Sequence, residues 1–115
     1  SMRAALEHQQ QRAAGRRRLA ILGTMAELGP TAPELHRQIG SLARALGVDE
    51  LLAVGEPARA YLEDGPLGRW APDAAAAAAL AAELARPGDH ILVKGSRSVG
   101  LETVAAALAD ALRAF

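Results

Sequence analysis

The sequence contains no cysteine, and this absence removes several kinds of site at once. Among its 115 residues there is no thiol to form a disulfide, to bind zinc or to act as a nucleophile. Only Tyr61, Trp70 and Phe115 are aromatic, so a buried core has to be built from leucine, isoleucine, valine and alanine. Half of the residues are hydrophobic, which is enough for one domain spanning residues 1–115.

Neither charge sign is in excess, because 13 lysines and arginines balance 13 aspartates and glutamates. A neutral chain lacks the basic surface that broad nucleic-acid binding requires, so no nucleic-acid partner is expected. Charged residues interrupt every apolar stretch, which argues against membrane insertion. The polar N-terminal residues do not resemble a secretory signal, and the composition predicts a cytoplasmic domain.

What the sequence does contain is an alternation of short apolar runs and amphipathic helices. Runs at 19–22, 51–54 and 91–93 predict strands, and a weaker strand is predicted within 67–71. Helical patterns precede, separate and follow these strands. The order predicts a three-layer, Rossmann-like α/β domain with a mostly parallel sheet and helices on both faces.

Two of the predicted helices carry capping signals at their first residues. Thr31 is predicted to cap the second helix, with Glu34 three residues later completing a capping box. Asp73 is predicted to cap an alanine-rich helix.

A glycine-bearing turn follows the strand at 91–93 and carries Lys94, Ser96 and Arg97. Such strand-to-helix turns bind anions in α/β proteins, because backbone N–H groups at the start of the helix point toward the ligand. The glycine spacing fits neither a P-loop nor a dinucleotide-binding fingerprint. The residues alone leave two interpretations open, an anion site and a purely structural tight turn.

A second loop, residues 23–29, also follows a strand and is expected at the same edge of a parallel sheet as Lys94. Glu27 in this loop either orients a substrate amine or a cation, or is an exposed charge. His36 in the next helix either donates to a ligand or forms a local hydrogen bond. The arginine run 16–18 is either a phosphate-binding element or a solvated lead-in to the first strand.

No combination of these residues forms a catalytic apparatus. The sequence offers no Ser-His-Asp set, no paired catalytic carboxylates and no cluster of metal ligands, and its three histidines are scattered. From the residues alone, the chain is a binding module or one part of an active site. No catalytic residue and no metal site is predicted within it.

Over nearly its whole length the sequence resembles the C-terminal domain of the Mur ligases. The resemblance is carried by residues 22–29 (LGTMAELG), by His36, by the turn 87–89 (PGD) and by residues 93–97 (VKGSR). Neither loop is specific by itself, but the pairing of the two at this separation is.

The resemblance implies a domain of an ATP-dependent amide ligase of peptidoglycan synthesis, inactive when alone. It implies D-alanyl-D-alanine and UDP-N-acetylmuramoyl-tripeptide as substrates, and the central and N-terminal domains of the same enzyme as partners. ATP and Mg²⁺ are the implied cofactors, bound mainly by the central domain. A first strand of the domain is expected just before Ser1.

Substrate-binding residues are carried over from the family by position: Thr24, Met25, Glu27, His36, Lys94, Ser96 and Arg97. The resemblance implies that Lys94 and Arg97 face anionic groups, that Ser96 donates a hydrogen bond, and that Glu27 or His36 holds polar partners or orders the loop. Thr24 stands where the family usually has aspartate, and residues 98–99 (SV) replace the usual Gly-Met. The alternative is a free-standing α/β module that binds a small phosphate-bearing ligand or a protein partner.

Overall fold

The computed structural model describes residues 1–95 and 100–113, and in these residues a four-stranded parallel sheet lies between two layers of helices. The predicted three-layer α/β fold is confirmed. In chain order the elements are α1 (Met2–Ala13), β1 (Arg18–Gly23), a 3-10 helix (Gly29–Thr31), α2 (Ala32–Ala45), β2 (Glu50–Val54), a second 3-10 helix (Pro57–Leu62), β3 (Arg69–Ala71), α3 (Ala74–Leu84), β4 (His90–Lys94) and α4 (Glu102–Arg113).

The strands lie in the order β3-β2-β1-β4, and every neighbouring pair is parallel. The chain moves outward from β1 through β2 to β3, and then crosses back to place β4 on the other side of β1. Leu22 near the end of β1 is in register with Ala53 of β2 and Lys94 of β4. The carboxyl ends of these three strands therefore meet at one edge of the sheet, called here the carboxyl edge.

Successive strand residues point to opposite faces of the sheet, so both faces carry apolar side chains. Each face is covered by its own helices. One face packs against α1, α2 and the second 3-10 helix, through buried residues that include Leu6, Ala20, Leu22, Leu51 and Tyr61. The other packs against α3 and α4, through buried residues that include Leu19, Ile21, Leu52, Ala77 and Val104. Tyr61 apart, these residues are aliphatic, as the composition predicts.

The two predicted helix caps have different outcomes. Asp73 caps α3 as predicted, since its side chain accepts a hydrogen bond of 2.9 Å from the Ala76 N–H. The Thr31 capping box is wrong, because the Thr31 hydroxyl donates to the Leu28 carbonyl at 3.0 Å instead. Thr31 ends a 3-10 helix that leads directly into α2, and its φ of −84° and ψ of 0° are not the extended geometry of an N-cap.

The arginine run at 16–18 ties elements together at the amino ends of the strands, opposite the carboxyl edge. Arg17 Nη1 donates to Asp89 Oδ2 at 2.5 Å and to the Leu84 carbonyl at 3.3 Å. Arg18 Nη1 donates to the Leu46 carbonyl at 2.6 Å. These contacts match neither a phosphate site nor a solvated lead-in.

Candidate functional site

The carboxyl edge is the candidate site, because the winding of the sheet reverses there. β1 leads outward on one side to β2, whereas β4 lies on its other side, so the loops that follow β1 and β4 leave the sheet from neighbouring strands. Open α/β sheets bind ligands in the crevice at such a switch point. The position of the site follows from the topology before any side chain is considered.

Glycine is required where the loops of the carboxyl edge touch. A Cβ on Gly95 would lie 2.8 Å from the Cα of Gly23, closer than two carbon atoms can approach without a shift of the backbone. A Cβ on Gly55, whose φ is 101°, would lie 2.9 Å from the hydroxyl oxygen of Thr24. The loops after β1, β2 and β4 are thus in direct contact, and the adjacency expected of the loops at 23–29 and Lys94 is observed.

The β1 loop, residues 24–28, carries three of the predicted substrate-binding residues. Thr24 and Met25 are half-buried and Glu27 is exposed. The backbone of Glu27 has a φ of 62°, a left-handed conformation that costs about 1 kcal/mol for a residue other than glycine. Glu27 forms no ion pair with any residue that the structure describes. The loop thus carries a hydroxyl beside Gly55, a thioether packed against the core on the α1 and α2 side, and an exposed carboxylate.

Lys94 is the last residue of β4 and lies opposite Leu22 of β1, at the switch point of the sheet. It is partly buried, and within residues 1–95 and 100–113 it has no acidic partner. Ser96 and Arg97 lie outside the described residues, so their roles stay predictions.

His36 lies behind the β1 loop and is completely buried, with 0% of its surface exposed. Its Nε2 accepts a hydrogen bond of 3.0 Å from the Met25 N–H. Its Nδ1 lies 2.6 Å from the Ala32 carbonyl oxygen. Of the two interpretations of His36, contact with a ligand and local hydrogen bonding, these contacts correspond to the second.

Two aromatic residues near the site are missed by the motifs. The Tyr61 hydroxyl donates to the Gly23 carbonyl at 2.8 Å, where β1 ends. Trp70 Nε1 donates to the Gly55 carbonyl at 2.7 Å, and the Arg59 guanidinium stacks on the Trp70 ring at 3.8 Å. The sequence feature that could have drawn attention to them is their rarity, since they are the only tyrosine and the only tryptophan in the sequence.

Within the described ranges no group of three or more histidines and acids is placed to hold a metal ion. Over the same residues, no helix has the length and apolar character that a membrane span requires. Among the described residues, the carboxyl edge provides the Lys94 ammonium group without an acidic partner, the Thr24 hydroxyl and a loop held by hydrogen bonds.

The comparison with known sequences assigns the family. The family model for the Mur ligase, glutamate ligase domain, matches residues 1–97. A relative from Synechocystis sp., named UDP-N-acetylmuramoyl-tripeptide–D-alanyl-D-alanine ligase, is 39% identical in an alignment of 99 residues that covers 82% of this chain and 22% of that protein.

Solved structures give the same assignment. A crystal structure of MurF from Acinetobacter baumannii matches with a TM-score of 0.84 and 28% identity, over 96% of this chain and 25% of that one. MurF ligase from Thermotoga maritima in complex with ADP has the same fold, with a TM-score of 0.75 and 22% identity over 96% of this chain and 26% of that one. The chain spans about a quarter of the length of these proteins. By sequence and by fold, the chain belongs to the Mur ligase family and is its C-terminal, glutamate ligase domain.

Proposed function

We propose that this chain is the substrate-positioning domain of an ATP-dependent ligase that joins D-alanyl-D-alanine to UDP-N-acetylmuramoyl-tripeptide. The proposal extends to the chain the activity named for its relatives, which are about four times as long. It places the reaction in peptidoglycan synthesis in the cytoplasm. The domain closes over a central domain of the same protein and supplies one wall of a shared active site.

The observation that supports the proposal is the position of Lys94 at the switch point between β1 and β4. Lys94 has no acidic partner among the described residues, so its ammonium group is available to an anionic ligand. In amide ligation through an acyl phosphate, ATP phosphorylates the tripeptide carboxylate and the dipeptide amine then displaces phosphate. A cation at this switch point would stabilise either the dipeptide carboxylate or the developing phosphate charge.

The proposal assigns substrate contacts, but no magnesium ligand, to this chain. In the described part of the chain no acidic cluster is suited to Mg²⁺, so no magnesium ligand is assigned to this chain. Thr24 is assigned a neutral hydrogen bond to substrate, since it lacks the charge of the aspartate usual in the family. Ser96 and Arg97 are assigned to the same anionic group as Lys94. We expect the 115-residue chain alone to hydrolyse no ATP.

Kinetics on the full-length protein test the assignment. Phosphate release is measured with ATP, UDP-N-acetylmuramoyl-tripeptide and increasing D-alanyl-D-alanine. We expect Lys94→Ala and Arg97→Ala each to lower kcat/KM on the order of 100-fold, the loss typical when one charged contact to a developing anion is removed.

The matched control is Arg86→Ala. Arg86 is an exposed cation in the turn before β4, at the opposite end of that strand from Lys94. Its removal should leave kcat/KM within about twofold of wild type. Unchanged kcat/KM in both site variants would refute the site. If wild type releases no phosphate with the dipeptide, or if the isolated chain turns over ATP, the proposed function fails in favour of a free-standing binding module.

A further inference from the structure

The β1 loop is held from behind by two buried side chains. Its first anchor is the Tyr61 hydroxyl on the Gly23 carbonyl at 2.8 Å, and its second is His36 Nε2 on the Met25 N–H at 3.0 Å. These two bonds fix the backbone on both sides of Thr24. The position of the Thr24 side chain, whose hydroxyl lies beside Gly55, therefore depends on two residues that lie behind the loop.

The hydrogen bonds of His36 indicate its role and its tautomer. Since the Met25 N–H is a donor, Nε2 has to accept, and the ring proton is on Nδ1, which donates to the Ala32 carbonyl at 2.6 Å. Both nitrogens are thus used, and the ring is fully buried. His36 has no atom left for a substrate, and its effect on one has to pass through the backbone of Met25.

Tyr61 is itself held in place by α2. Its ring centroid lies 4.9 Å from that of His36, at a tilted angle of 57°. Arg44 Nη2 donates to the Tyr61 carbonyl at 3.2 Å, and the absence of a side chain on Gly40 lets α2 approach that carbonyl. Burial raises the pKa of the Tyr61 hydroxyl, so the hydroxyl remains protonated and remains a donor.

We propose that Tyr61 and His36 are positioning residues of the ligase, which together hold the β1 loop in its substrate-binding geometry. The inference rests on the proposed function of the β1 loop and extends it. Tyr61 belongs to the second 3-10 helix and His36 to α2, so the loop after β1 is fixed by two helical elements from later in the chain. A loop released from these bonds would bind the dipeptide less well although the fold remained intact.

Three variants separate the two anchors. Tyr61→Phe keeps the ring and removes only the hydroxyl. His36→Leu removes the acceptor for the Met25 N–H, whereas His36→Gln can present its amide oxygen near the position of Nε2. We expect Tyr61→Phe and His36→Leu to raise KM for D-alanyl-D-alanine on the order of 10-fold in the full-length protein, with partial rescue by His36→Gln.

The control is a buried polar residue at the other end of the sheet. Gln9 is 1% exposed, and its Nε2 donates to the Leu19 and His90 carbonyls at the amino ends of β1 and β4. Gln9→Leu should lower the melting temperature and leave KM unchanged. This variant measures what general destabilisation alone does to the kinetics.

Amide hydrogen exchange of Met25, measured on the 115-residue chain by NMR, reports the anchoring directly. We expect exchange on the order of 10-fold faster in His36→Leu and restored slow exchange in His36→Gln. The inference is overturned if KM in Tyr61→Phe and His36→Leu stays within about twofold of wild type, or if Met25 exchange does not change. A wild-type protein without dipeptide-dependent phosphate release refutes the proposed function instead, and the exchange data then decide the anchoring alone.

Discussion

His90 begins β4 beside a group of basic side chains, and its environment opposes a positive charge. Burial, followed by the charges of Arg16 and Arg12, lowers the pKa of His90 below its ordinary value of 6.5. The unfolded chain therefore takes up this proton at a higher pH than the folded domain does. The contribution of neutral His90 to the free energy of unfolding is therefore full above about pH 6.5. It is lost as the pH falls from there toward the pKa of His90 in the folded domain.

We accordingly expect the melting temperature of the 115-residue chain to fall between about pH 7.5 and about pH 5.5, and to fall less in His90→Gln. Calorimetry at constant ionic strength measures both curves. Added salt should reduce the difference between them, because part of the shift comes from neighbouring arginines. Parallel curves for the two proteins would mean that His90 titrates alike in the folded and unfolded states.

At the level of single residues, the sequence predicts which loops form the candidate site. It does not predict the side chains that fix the backbone of those loops. The adjacency of the β1 loop and Lys94 follows from parallel strands, whose carboxyl ends share an edge. The anchor on Gly23 comes from Tyr61, 38 residues away, through one hydroxyl. No local spacing encodes such a contact, because it depends on the packing of α2 against the second 3-10 helix.

At the scale of elements, the two predicted helix caps show when a local motif is sufficient. Asp73 follows Pro72 and has the extended φ of −151° and ψ of 176° that lets a side chain fold back onto the helix. Before α2, residues 29–31 already form a 3-10 helix, and the Ala32 N–H donates to the Gly29 carbonyl of that helix. No residue in an extended conformation stands at the start of α2 to act as a cap. The capping box fails because the element before the helix differs from what the motif assumes.

This contrast predicts unequal costs for two similar substitutions. Asp73→Ala should lower the free energy of unfolding by about 1 kcal/mol, since the Ala76 N–H loses its acceptor. Thr31→Ala removes an exposed hydrogen bond to Leu28 and should cost no more than about 0.5 kcal/mol. Urea denaturation of the 115-residue chain measures both.

Asp73→Asn is the matched control, because asparagine also caps helices and should retain most of the stability. Equal losses for Asp73→Ala and Thr31→Ala would contradict the distinction between the two helix starts.

At the scale of the whole molecule, β4 has an open edge in the part of the chain that the structure describes. It pairs with β1 alone. The His90 N–H donates to the Arg17 carbonyl of the β1 side at 2.8 Å, so alternation points the N–H groups of Ile91 and Val93 away from β1. The run 91–93 is hydrophobic throughout, which is typical of a strand between two neighbours rather than of an exposed edge.

If a strand precedes α1, as the family resemblance implies, the handedness of its connection to β1 leaves one position for it in the sheet. α1 and α2 pack on the same face of the sheet. Connections between parallel strands are right-handed, so a strand leading through α1 into β1 must lie on the side of β1 opposite β2. β4 already occupies the adjacent position on that side, and α1 lies close to it, since Gln9 of α1 donates to the His90 carbonyl at 3.2 Å. We therefore predict a parallel strand on the outer edge of β4.

Hydrogen exchange on a longer chain, extended before Ser1, checks this placement against the 115-residue chain. The amides of Ile91 and Val93 should exchange on the order of 100-fold more slowly in the longer chain, because the added strand supplies their acceptors. The Leu92 amide points toward β1 in both chains and should change far less, which makes it the internal control. New protection along β3 instead of β4 would place the added strand at the opposite edge and contradict the right-handed crossover through α1.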